Sequence, residues 1–134
     1  MTRINCVAPA LLHGKHLVAE YRELPRVFGL VRDAAARGER PDLDAIPAYT
    51  LGRGHVRFFY PRLGYLADRH AALVTEMVAR GYKPSFVGSL REVHGYIDLG
   101  WWGDWEPDSA AIILNIARLE DRIPGAYTAL ASVA

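Results

Sequence analysis

Apolar residues recur at helical spacing in three stretches of this chain. From Lys15 to Arg37 they fall at Leu17, Tyr21, Leu24, Phe28, Val31 and Ala35, in alternating steps of four and three that trace one face of a helix. Gly38 follows as a C-terminal cap. Pro25 lies inside this run, where it removes a backbone donor and is expected to push Leu24 out of helical geometry, so the pattern predicts one helix with a kink. A second helix is predicted from near Pro61, with Leu63, Leu66, His70, Leu73 and Met77 turned inward and Gly81 as its stop. A third begins near Asp108, whose carboxylate can accept from the open N–H groups of the first turn. Ile112, Ile116, Leu119 and Ile123 form its stripe before Pro124 and Gly125 end it.

No stretch alternates convincingly between apolar and polar residues. The fold class predicted is therefore all-α, a compact single domain of about three main helices spanning residues 1–134. Two long connections, 39–60 and 83–106, are rich in Pro and Gly; loops of that size in a compact domain usually serve function. Short helical turns at 42–46 and 89–94 would shorten them without changing the architecture.

Length and composition narrow the class. A chain of 134 residues can bury about two-thirds of the surface its unfolded form exposes and needs no staples. The single Cys6 allows no internal disulfide and reads as a small buried apolar residue. No run of about 18 apolar residues offers a membrane span, and the first residues lack the basic start and apolar core of a signal peptide. An intracellular, cytoplasmic protein with no membrane partner is the expectation. The formal net charge of +1 conceals an asymmetry: residues 1–91 hold 14 Lys/Arg against 8 Asp/Glu, and residues 92–134 hold 2 against 7. The basic part is the candidate nucleic-acid face.

The chemistry concentrates at the N-terminus. Small Thr2 after the initiator suggests that Met1 is removed, leaving a free α-amine. Such an amine titrates at about 7.7–8.0 and is partly neutral near pH 7, unlike a lysine. On the first helix His16, Glu20 and Glu23 share one stripe, and Lys15, Ala19, Arg22 and Arg26 share the next, opposite Leu17, Leu24, Phe28 and Val31. Spacing alone describes an ordinary solvated face. His13 and His16 lack the carboxylate partner and spacing of a metal site, so neither metal nor cofactor is expected.

Two blocks change that picture: Thr2-Arg3-Ile4-Asn5, and the fourteen residues from His16 to Gly29, His-Leu-Val-Ala-Glu-Tyr-Arg-Glu-Leu-Pro-Arg-Val-Phe-Gly. Together they resemble the pyrimidine-dimer DNA glycosylases, the phage-type endonuclease V family, distinct from the inosine-specific nuclease that shares that name. The likeness continues more thinly through Leu51–Tyr60, Arg80-Gly81-Tyr82 and Ala117-Arg118-Leu119. It implies that Thr2 carries a nucleophilic amine and that Glu23 is the catalytic carboxylate. It further implies that Arg3, His16, Arg22 and Arg26 bind DNA or shape the site, and that Arg118 and Arg122 form a basic pair on the last helix. Arg122 stands where the family more typically has lysine, and a phosphate contact tolerates either.

The activity implied is excision of cyclobutane pyrimidine dimers from damaged double-stranded DNA, followed by β-elimination at the abasic site, by a monomer. An abasic-site lyase without dimer specificity and a noncatalytic DNA-binding module are the alternatives. The tail from Ala126 to Ala134 replaces the family's aromatic-rich C-terminus, with only Tyr127 remaining. Trp101, Trp102 and Trp105 could supply stacking platforms for bases instead, although their large apolar area favours pinning a long loop to the core.

Overall fold

The apolar stripe from Leu17 to Val31 is carried by two helices rather than one. The computed structural model describes residues 3–41 and 48–133. In it α1 spans Gly14–Glu23 and α2 spans Arg26–Ala36. The chain is interrupted at Pro25 as predicted, but Leu24 keeps right-handed helical geometry, with φ −54° and ψ −44°. The junction absorbs the missing donor by tightening, with Val27 N–H bonding to the Leu24 carbonyl at 3.1 Å and Phe28 N–H to that of Pro25 at 3.2 Å. Pro25 precedes the first residue of α2, where the first N–H groups have no intrahelical partner in any case, so it acts as a helix starter.

The remaining elements are α3 (His55–Phe58), α4 (Leu63–Ala79), α5 (Leu90–Val93), α6 (Ser109–Arg122) and α7 (Thr128–Val133), with 3₁₀ turns at Pro9–Leu11 and Leu99–Trp101. Among the described residues there is no strand, only an isolated bridge between Arg62 and Trp102. The all-α class holds. Helix α5 falls within 89–94, one of the two candidate short turns. The other, at 42–46, lies outside the described residues, and α7 adds a helix beyond those predicted.

Helix α4 is the hub, packing against α1, α5 and the first 3₁₀ turn. Its predicted inward set, Leu63, Leu66, His70, Leu73 and Met77, is buried throughout. Burying each large apolar side chain stabilises by roughly 1.5–3 kcal/mol. Gly81, at φ 85°, closes the helix in a left-handed turn that lets Tyr82 N–H reach the Met77 carbonyl at 2.9 Å. Asp108 caps α6 as expected, accepting from Ala111 N–H at 2.8 Å.

The tryptophans hold the second long loop to this hub. Trp101 is buried, and the Trp102 indole N–H donates to the Ile97 carbonyl at 3.0 Å. Trp105 stacks on Tyr49 with ring centroids 5.2 Å apart and meets Phe58, Phe59 and Tyr65 edge-on. Gly103 passes so close to the start of α4 that a Cβ there would meet the Pro61 carbonyl oxygen at 2.4 Å. These indoles pack into the core, Trp101 fully and Trp102 and Trp105 in part.

Candidate active site

The N-terminal segment Arg3–Val7 is neither helix nor strand, so its buried backbone groups need partners from side chains. Ile4 N–H donates to His55 Nε2 at 2.8 Å. Cys6 and Val7 N–H both donate to Asn115 Oδ1, at 2.8 and 3.3 Å. The Tyr65 hydroxyl reaches the Asn5 carbonyl at 3.3 Å, and Arg69 Nη1 the Val7 carbonyl at 2.7 Å. Helices α3, α4 and α6 thus hold one extended peptide in place. The Arg3 guanidinium adds a bond to the Leu51 carbonyl.

Beneath this segment lies a closed polar cluster. Asn5 Nδ2 donates to Glu20 Oε1 at 2.9 Å, and Asn115 Nδ2 to Asn5 Oδ1 at 2.9 Å. Arg69 grips both Glu20 oxygens. Helical spacing places Glu20 on the exposed acidic stripe beside Glu23, but it is only 2 % exposed. It sits between Leu17 and Leu24 at steps of three and four, on the face that α1 turns toward α4. Its charge is committed to Arg69.

Above the cluster opens a cleft of about 300 Å³ whose walls include Arg3, His16, Glu23, Arg118 and Arg122. Three chain regions meet there: the N-terminal segment, α1 and the last turns of α6. Glu23, Arg118 and Arg122 form no salt bridge among the described residues. Burial, and then repulsion from Arg118 and Arg122, lowers the pKa of Arg3, while Tyr49 and then Glu23 oppose that shift. Glu20, held by Arg69, also reaches the cleft lining, but the arginines crowded around Glu23 favour a polyanion. A larger, shallower groove of about 790 Å³ beside Tyr65 and Trp105 carries Asp68, Asp104 and Glu106 on its rim and would repel one.

Five of the predicted site residues therefore converge. Arg22 and Arg26 do not: Arg22 faces a neighbouring groove with Lys15 and Tyr82, and Arg26 is the exposed first residue of α2. Arg22 precedes Glu23 by one residue, a turn of about 100° around α1, while Arg26 belongs to α2, beyond the Pro25 junction. Thr2 lies outside the described residues.

His16 is half-buried, and burial first, then His13 and Arg122, lowers its pKa. Its Nδ1 is 2.7 Å from the Tyr127 hydroxyl. Tyr127, the sole aromatic of the tail, is 1 % exposed and packs behind His16 rather than offering a surface for bases. Among the described residues no three His, Cys, Asp or Glu side chains are grouped to hold a metal ion.

Asn5, His55, Arg69, Asn115 and Tyr127 shape the site without being legible as site residues in the sequence. A signal existed for two of them. Asn115 interrupts the apolar stripe of Ile112, Ile116 and Leu119, and Arg69 sits between Leu66 and Leu73, and a polar side chain on a buried face must find a partner.

A family model described as pyrimidine dimer DNA glycosylase matches residues 1–86. The chain belongs to that family and is a DNA repair glycosylase.

Proposed function

We propose that this protein is a bifunctional DNA glycosylase and abasic-site lyase that acts on cyclobutane pyrimidine dimers in duplex DNA, through an imine formed by the amine of Thr2 after Met1 is removed. The observation that supports this reading most is the cleft, where Arg3, His16, Arg118 and Arg122 surround a Glu23 carboxylate that forms no salt bridge among the described residues. The amine of residue 2 is one residue from Arg3 along the chain.

In this scheme the neutral amine attacks C1′ of the damaged nucleotide, and the C1′–N bond to the base breaks with its electron pair leaving on the base. The amine sheds a proton, the C1′–O4′ bond opens with O4′ taking up a proton, and a protonated imine results. Loss of a C2′ proton then breaks the C3′–O bond and expels the 3′ phosphate, after which water hydrolyses the imine. Glu23 stabilises the positive charge at the sugar and carries the protons at C2′ or O4′. Arg3, Arg118 and Arg122 clamp phosphates beside the opened sugar, while Arg22 and Arg26 hold the backbone further out. The nucleotide must leave the stack, because an amine cannot reach C1′ inside an undistorted duplex. The scheme uses no metal or cofactor, and a monomer suffices.

The test is borohydride trapping on dimer-containing and abasic duplexes, with the intact mass of the protein recorded. A covalent adduct is expected when Thr2 is the first residue and is lost when Met1 is retained. No adduct on either duplex sinks the amine mechanism, and an adduct on abasic DNA alone moves the protein to the lyase without dimer specificity.

A further inference from the structure

The Tyr127 hydroxyl sits between two groups of the α1 start. It accepts from His13 N–H at 2.7 Å and lies 2.7 Å from His16 Nδ1, with the two rings near-parallel at 5.5 Å. The turn that carries it is fixed in its own right. Glu120 accepts from Tyr127 N–H at 2.7 Å and also from Gly125 N–H.

A phenol has one proton to give. With one lone pair taken by His13 N–H, two arrangements of His16 can be compared. If Nδ1 is bare, it accepts the phenol proton and every group at the contact is satisfied. If Nδ1 carries the proton, it donates to the phenol oxygen, and the phenol O–H is left enclosed with no acceptor, since its hydrogen-bond partners among the described residues are only these two. A buried donor without a partner is disfavoured. The imidazole proton therefore belongs on Nε2, the nitrogen not engaged by Tyr127, in a ring that lines the cleft.

We propose that Tyr127 is a positioning residue of the cleft, holding His16 in the tautomer protonated on Nε2 so that the ring offers an N–H donor to an oxygen of the DNA sugar-phosphate backbone. This rests on reading the cleft as the DNA site. His55 provides an internal contrast, because Ile4 N–H donates to its Nε2 while its Nδ1 lies 2.8 Å from the Thr50 carbonyl. Its proton is on the opposite nitrogen.

The experiment is nitrogen-15 NMR of the histidine rings in the full chain near pH 7.5, together with adduct formation on abasic DNA by the wild type, Tyr127→Phe, His16→Gln and the double variant. His16 protonated on Nε2 and His55 on Nδ1 is the expected spectrum; a proton on His16 Nδ1 overturns the proposal. Tyr127→Phe is expected to slow trapping about 5- to 10-fold, the size of one hydrogen bond, with the His55 signal unchanged as a check on folding. In the His16→Gln background the same substitution is expected to have no further effect. An equal loss in both backgrounds means that Tyr127 acts as structure alone and overturns the assignment. A wild type that forms no adduct removes the amine mechanism instead, and the assignment is then judged on the nitrogen spectrum.

Discussion

Arg69 binds Glu20 in a fork, Nε to Oε2 at 2.9 Å and Nη2 to Oε1 at 3.0 Å, with both side chains almost wholly enclosed between α1 and α4. Removing one member leaves the other as a buried charge without its partner, which costs about 3–5 kcal/mol. Glu20→Ala and Arg69→Ala are each expected to lower unfolding free energy by that order. Urea denaturation followed by circular dichroism measures it, and a loss below about 1 kcal/mol would show that the pair is not buried as described.

Glu23, one turn on, is expected to behave in the opposite way. It lines the cleft and is not bonded into the buried cluster, so Glu23→Gln should leave stability near the wild-type value and DNA binding largely intact. Strand cleavage should fall by about 10²–10⁴-fold, the contribution of a positioned acid–base group. Full cleavage activity in the variant would take the carboxylate role away from Glu23.

His55 makes stability depend on pH. Burial lowers its pKa from 6.5 to about 4, so the unfolded chain binds more protons than the folded one in between, and stability rises with pH across that window. The contribution is complete above pH 6.5 and is lost as pH falls toward 4, on the order of 3 kcal/mol in all. Denaturation at about pH 7.5, 5.5 and 4.5 should show the decline, and a His55→Gln variant should flatten it. Because His55 holds Ile4 N–H, the N-terminal segment should loosen first, visible as faster hydrogen exchange at Ile4.

Arg118 and Arg122 line the cleft from α6. If each neutralises a phosphate, Arg118→Ala and Arg122→Ala should each lower the slope of log K against log salt by about 0.9. Affinity for a duplex containing an abasic analogue, measured from about 50 to 200 mM salt, reads this directly. An unchanged slope in both variants removes them from the phosphate contacts.

Helix positions were legible because their information is local. The stripe Leu63, Leu66, His70, Leu73 and Met77 can be buried only on one face of a helix, and Asp108 can cap only a helix that starts at the next residue. The Pro25 junction departs from its sequence pattern for a related reason. Proline's effect depends on whether the chain continues one helix or begins another, and the packing of Leu24, Val27 and Phe28 into the core decides that. Glu20 departs because helical spacing gives angular position but not which neighbour arrives there; Arg69 comes from 49 residues away.

By itself, the sequence determined the all-α class and the family, because contiguous motifs and helical periods are written along the chain. Only the tertiary structure decided which charges face the cleft and which are enclosed. It turned Glu20 inward and Glu23 outward, set Arg22 and Arg26 apart from Arg118 and Arg122, and buried Tyr127 against His16. Those outcomes depend on side chains distant in sequence meeting with their hydrogen bonds satisfied, a condition that no local pattern encodes.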